Sequence, residues 1–265
     1  MSVLPQFNTD ELFQNGGQNL IFLGNRRTGK SFLCGHILEN HVRKFDLVIS
    51  FLGTPFCNDK VSNLISSHYD ARLNFVDFSP KVLDTLWAQQ KDLLSRGISR
   101  NVCLIFDDVF TSSPHHMDCL VRLFMRGRHH KISCMFACVS VSLIPKNIRR
   151  CADFLFIFSC LTASDTKLLS EEYVSGQNQR AALWTIKNLQ KYESLVLPTT
   201  GQRQKLTTYT AGGFRSLQLS DHDESQQSNT VSSQELPSVL NSQTTFSLHN
   251  GTEEQISKYD DSQVS

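Results

Sequence analysis

Residues 19–31 read Asn-Leu-Ile-Phe-Leu-Gly-Asn-Arg-Arg-Thr-Gly-Lys-Ser, and no other stretch constrains the fold as much. Asn19 to Leu23 is a short, mostly apolar run of strand length. Gly24, Gly29, Lys30 and Ser31 then fill the pattern G-x-x-x-x-G-K-[ST], and a helical pattern follows from Phe32. In that context glycines let the backbone curl its N–H groups inward, and the helix N-terminus adds its dipole to the same anion site. Gly24, Asn25, Arg26, Arg27, Thr28, Gly29, Lys30 and Ser31 are therefore the expected cradle of a nucleoside triphosphate, with ATP the expected ligand and the choice between ATP and GTP left open. Lys30 is expected at the β- and γ-phosphates and the Ser31 hydroxyl on Mg²⁺.

Downstream, apolar runs of strand length over 45–51, 73–78, 101–106, 131–140 and 153–159 alternate with helical patterns. Ser79-Pro80 and Ser113-Pro114 mark two helix starts, with serine as cap and proline at the first helical position. Further helices are expected over 62–69, 164–173 and 179–191. Strands alternating with helices predict βαβ units, hence an α/β fold with a mainly parallel central sheet flanked by helices. The run over 101–106 ends in Asp107-Asp108. An apolar strand closing on two carboxylates supplies the second half of a nucleotide-hydrolysing site. Asp107 is expected to hold Mg²⁺, and Asp108 to polarise the attacking water as the catalytic acid–base.

Charge divides the chain. Residues 1–213 carry 24 Lys and Arg against 17 Asp and Glu, whereas 214–265 carry two against eight. A basic body suits a nucleic-acid partner. The acidic end is rich in Ser, Thr, Asn and Gln and cannot bury enough apolar surface to offset its ordering entropy, so 214–265 is expected to stay disordered. The organisation read from sequence is a lead-in over 1–18, an ATPase domain over 19–213 and that tail. The eight cysteines include no Cys-x-x-Cys pair and are expected as reduced thiols of an intracellular protein. Nothing in the sequence points to secretion or to a membrane.

Taken together, 24–31, Ile105-Phe-Asp-Asp108, and Arg126-Gly-Arg-His-His-Lys-Ile-Ser133 leading through a strand to Pro145-Lys-Asn-Ile-Arg149 and Ala152-Asp153 resemble the poxvirus-type DNA-packaging ATPases of large DNA viruses. That group is a branch of the FtsK/HerA superfamily of P-loop NTPases, and the resemblance spans residues 15–195. It implies a RecA-like fold of the ASCE type, with the carboxylate strand beside the phosphate-loop strand. It implies a DNA-stimulated ATPase that works as a homo-oligomeric ring and pumps double-stranded DNA, held by its backbone, into a preformed capsid. Capsid or portal-type proteins would be its partners, in the infected host cell. An arginine from the neighbouring subunit completes such sites; by position Arg128 is the first candidate, with Arg126 and Arg149 behind it.

Two departures from the family pattern stand out. Counting back from Pro145 puts Val139 where a polar sensor, often Gln, is usual, with Ser140 and Ser142 the nearby polar side chains. The acid is Asp108 where the wider superfamily has Glu. Two alternatives follow: a nucleotide-gated binding or scaffold protein with little turnover, and a helicase or conjugation-type pump of the same superfamily. Residues 111–116, just past the acidic pair, are the expected DNA-contacting loop.

Overall fold

The computed structural model describes residues 5–14, 16–53, 60–109, 113–159, 162–174, 178–199 and 206–210. The expected disordered tail over 214–265 lies outside them, as do the loop over 54–59 and residues 111–112 of the expected DNA-contacting loop.

Five strands run parallel: β1 (Asn19–Leu23), β2 (Leu47–Leu52), β4 (Val102–Asp107), β5 (Ile132–Cys138) and β6 (Phe154–Phe158). The first four are buried along nearly their whole length, as strands covered on both faces must be. A short β3 (Asn74–Phe75) joins the β2 edge in parallel. The expected longer strand over 73–78 does not form. A 3-10 turn, Ala71–Leu73, capped by Asp70, takes its beginning, and beyond Phe75 no neighbour extends the ladder.

At the other edge two strands that periodicity had not revealed add antiparallel to β6: β7 (Glu193–Pro198) and then β8 (Thr207–Thr210). The order across the eight strands is β3-β2-β4-β5-β1-β6-β7-β8. One expectation is corrected here. The carboxylate strand β4 is not beside the phosphate-loop strand β1, because β5 lies between them and pairs with both. The chain leaves β4, crosses through a helix and fills the central gap, which brings the tip of a third strand between the loop and the carboxylates.

The connecting helices are α1 (Lys30–His41), α2 (Lys60–His68), α3 (Pro80–Ser95), α4 (Pro114–Arg126), α5 (Lys146–Arg150), α6 (Ala163–Tyr173) and α7 (Asn178–Asn188). Helix α3 buries Val82, Leu83, Leu86 and Gln90, and α4 buries Cys119, Leu120, Leu123 and Phe124. The stripes are those the apolar spacing dictates. The lead-in is part of the core. Phe7 meets Phe154, Phe156 and Tyr209 edge to face, and Leu12 and Phe13 are buried.

Candidate nucleotide site

The turn after β1 is closed by hydrogen bonds of its own. Gly24 N–H donates to the Cys138 carbonyl at 3.3 Å, and the Thr28 hydroxyl donates to the Asn25 carbonyl at 2.8 Å. Gly29 caps α1 at φ 113°, a backbone state open to glycine, and offers the helix no side-chain cap. The first N–H groups of α1 are thus left for an anion. Lys30 is buried, with its ammonium donating to the carbonyls of Gly24 at 2.9 Å and Asn25 at 3.0 Å. An incoming phosphate would exchange those two neutral acceptors for charged ones, and charge-assisted bonds are the stronger kind.

Across β5, Asp107 ends β4 half-buried and Asp108 follows at φ 52°. Gly53 holds this corner. Its N–H donates to the Asp107 carbonyl at 3.0 Å, and a Cβ on it would stand 2.9 Å from the Asp108 carbonyl oxygen. Lys30, Ser31 and Asp108 line one cleft of about 770 Å³, together with Arg26, Arg27, Phe32, Gly53, Lys191 and Tyr192. That size suits a nucleotide. Among the described residues, four cationic side chains line it against the single carboxylate of Asp108, the balance a polyphosphate needs. Asp107 is not among the lining residues.

The tip of β5 between loop and carboxylates is Cys138. Its thiol is close enough to Asp108 and Lys30 for both charges to act on it, and burial pushes it above the usual thiol range, so it is protonated at neutral pH. The β5 ladder ends at Cys138, so the expected sensor Val139 falls just past the strand. Ser140 and Ser142 serve elsewhere. The Ser140 hydroxyl donates to Asp165 Oδ1 at 2.6 Å and the Ser142 N–H to the same oxygen at 3.3 Å, while Thr162 donates to Oδ2 at 2.9 Å. Asp165 is buried, and it ties the segment after β5 to the start of α6.

The three candidate arginines separate. Arg126 and Arg128 are exposed at the end of α4 and in the 3-10 turn Gly127–His130, just before β5 begins. They therefore sit at the end of the sheet opposite the cleft. Arg149 is buried, donating to Glu172 through Nε at 2.9 Å and Nη2 at 2.7 Å, and to the Ile144 carbonyl at 2.7 Å. It is a structural clasp, without a free guanidinium for a neighbour.

Sequence reasoning missed Lys191, which it left as the last residue of an expected helix, and Tyr192, which it assigned to no element. Helix α7 stops at Asn188, and the turn before β7 brings Tyr192 against the loop, its N–H donating to the Thr28 carbonyl at 3.2 Å. The signal available was an aromatic residue framed by charges ahead of the apolar run Leu195-Val196-Leu197.

A family profile described as Poxvirus A32 protein matches residues 5–196. No curated protein sequence matches the chain. Among solved structures, the DNA-packaging ATPase B204 from Sulfolobus turreted icosahedral virus is similar at 18% identity and TM-score 0.53, over 73% of this chain and 98% of that one. B204 of Sulfolobus turreted icosahedral virus 2, a genome-packaging NTPase in complex with AMPPCP, gives 17% identity and TM-score 0.51, over 72% and 97%. ATPases 2 and 3 of EssC from Geobacillus thermodenitrificans give 13% identity and TM-score 0.50, over 74% of this chain and 40% of that one. At these identities the likeness is one of fold.

Proposed function

Because this chain belongs to the Poxvirus A32 protein family, we propose that it is an ATP-hydrolysing motor that drives double-stranded viral DNA into a preformed capsid. The observation that carries the reading is that Lys30 and Asp108 line one cleft together with residues of the Gly24–Ser31 loop. Of two proteins of the same fold, one is named a DNA-packaging ATPase and the other a genome packaging NTPase, the latter in complex with AMPPCP.

In this reading the loop N–H groups and Lys30 take the β- and γ-phosphates, and the ammonium leaves the Gly24 and Asn25 carbonyls to do so. Asp108, on the terminal-phosphate side, accepts the hydrogen bond of the attacking water, aligns it and receives its proton. Ser31, which lines the cleft, would hold Mg²⁺ directly, and Asp107, which ends β4 next to Asp108 but does not line the cleft, would reach it through water. Among the described residues no cluster of three or more ligand-type side chains occurs. A Mg²⁺ ion held there would supply positive charge against the phosphate oxygens.

Arg128 is the candidate trans group. It is exposed on the face opposite the cleft, and a ring built from head-to-tail contacts needs two different faces of that kind. DNA is held through phosphate contacts by the basic body, without base readout and with strong salt dependence. Capsid or portal-type proteins complete the assembly, in the infected cell.

A second reading, a nucleotide-gated scaffold with little turnover, is favoured by one observation: the sensor strand ends in a protonated thiol where an amide would serve better. Steady-state ATPase activity of the purified chain, with and without linear duplex DNA and with oligomeric mass recorded, separates the two. The motor reading expects turnover that rises with DNA and is lost in Lys30→Ala. Tight ATP binding with no turnover under any of these conditions would favour the scaffold.

A further inference from the structure

Resting on the reading that a nucleoside triphosphate occupies this cleft, the sheet order assigns its two ends. In the order β4-β5-β1-β6-β7, Asp108 stands on one side of the phosphate loop and the turn before β7 on the other. Neighbouring strands lie about 4.8 Å apart, so β4 and β7 are about 19 Å apart, the length scale of an extended nucleoside triphosphate. A triphosphate with its terminal phosphate at Asp108 points its nucleoside toward Lys191 and Tyr192.

There the cleft changes from charged to aromatic. Phe32, in the first turn of α1, meets Tyr192 edge to face with ring centroids 5.7 Å apart at 61°, and Lys191 Nζ stands 5.0 Å from the Tyr192 centroid. All three line the cleft. Tyr192 is held at φ 67°, and its ring lies so close to the loop that a Cβ on Gly29 would be 2.6 Å from its Cδ1. A non-glycine residue in the left-handed region persists where its surroundings demand it, and such positions cluster at ligand clamps.

We propose that Phe32 and Tyr192 form the nucleobase subsite, with a heteroaromatic base packed against this aromatic corner and Lys191 beside it as a cation. Among the described residues, the side chains lining this end bring no carboxylate or carboxamide to read a base edge. Recognition is by stacking, which tolerates any base, so ATP and GTP bind within about tenfold of each other.

Calorimetric titration of the full chain with ATP, GTP and inorganic tripolyphosphate tests this in four proteins: wild type, Tyr192→Asn, Tyr192→Phe and Lys30→Ala. Asparagine removes the ring while tolerating the left-handed backbone. Tyr192→Asn is expected to weaken ATP and GTP about 5- to 150-fold, the range for one stacked base, and to leave tripolyphosphate unchanged. Tyr192→Phe restores both nucleotides. Phe32→Leu, on α1, carries the same expectation if Tyr192→Asn does not fold. Equal weakening of tripolyphosphate and ATP, or no weakening of either, would overturn the subsite and leave Tyr192 as a prop for the loop. Lys30→Ala tests the underlying reading separately: undiminished binding of ATP and tripolyphosphate in that variant would remove the phosphate site itself, whatever Tyr192 does.

Discussion

Replacing Arg149 by alanine should unfold the protein more readily without touching its chemistry directly. The guanidinium makes a two-pronged pair with Glu172 and donates to the Ile144 carbonyl at 2.7 Å and the Val141 carbonyl at 3.3 Å. The two side chains are 9% and 20% exposed. Removing one partner of a buried pair costs about 3–5 kcal/mol. Because Glu172 keeps some contact with water, the low end applies, about 3 kcal/mol. For a domain of this size that is a fall in Tm of roughly 6–12 °C. Thermal melts followed by circular dichroism read it directly. The double variant Arg149→Met with Glu172→Met should recover much of the loss, since no lone charge is then buried. An Arg149→Ala protein that melts within about 2 °C of wild type but has lost ATP turnover would refute the clasp and make Arg149 the trans arginine instead.

Arg128→Ala should leave Tm unchanged and reduce turnover by about 10³-fold or more if it acts across a subunit boundary. Doping Arg128→Ala subunits into Lys30→Ala rings should then restore some activity at mixed interfaces, whereas none would return if both residues act within one subunit. Gly53→Ala forces a Cβ to within 2.9 Å of the Asp108 carbonyl. The carboxylate corner must shift, so kcat should fall with ATP affinity little changed; a drop in affinity alone would contradict this. Stability should decline on acidification. Burial holds His36, His41 and His130 below the usual imidazole range. The unfolded chain therefore binds more protons below about pH 6.5, and stability present above that pH is lost as pH falls through the depressed values. Asp153, raised by burial, opposes this only nearer the carboxylate range. Urea midpoints at pH 7.5 and 5.5 measure the trend, and a flat profile would mean the folded state accepts charged imidazoles.

The features legible in the sequence are those enforced locally. The spacing of Gly24, Gly29, Lys30 and Ser31 leaves the backbone few options, so the loop and the start of α1 were readable, with the helix beginning two residues before Phe32. Apolar runs gave β1, β2, β4, β5 and β6 because buried parallel strands must be apolar throughout. Asp107 and Asp108 were readable as residues closing such a run. What escaped depends on partners far along the chain. The insertion of β5 between β1 and β4 is a matter of crossovers, which periodicity does not encode. The role of Arg149 needs Glu172, and the position of Tyr192 needs the Thr28 carbonyl. Strands β7 and β8 were lost because a short apolar run and Thr-Thr-Tyr-Thr announce no periodicity of their own.

Single-turnover hydrolysis of ATP by Asp108→Asn, compared with wild type at saturating nucleotide and with binding measured on the same samples, tests the convergence of Lys30 and Asp108 on one triphosphate most directly. The expected result is ATP binding close to wild type with hydrolysis slower by about 10²- to 10⁴-fold, the worth of a positioned acid–base group. Undiminished hydrolysis in that variant would mean that the carboxylate facing this cleft does not serve the bound nucleotide.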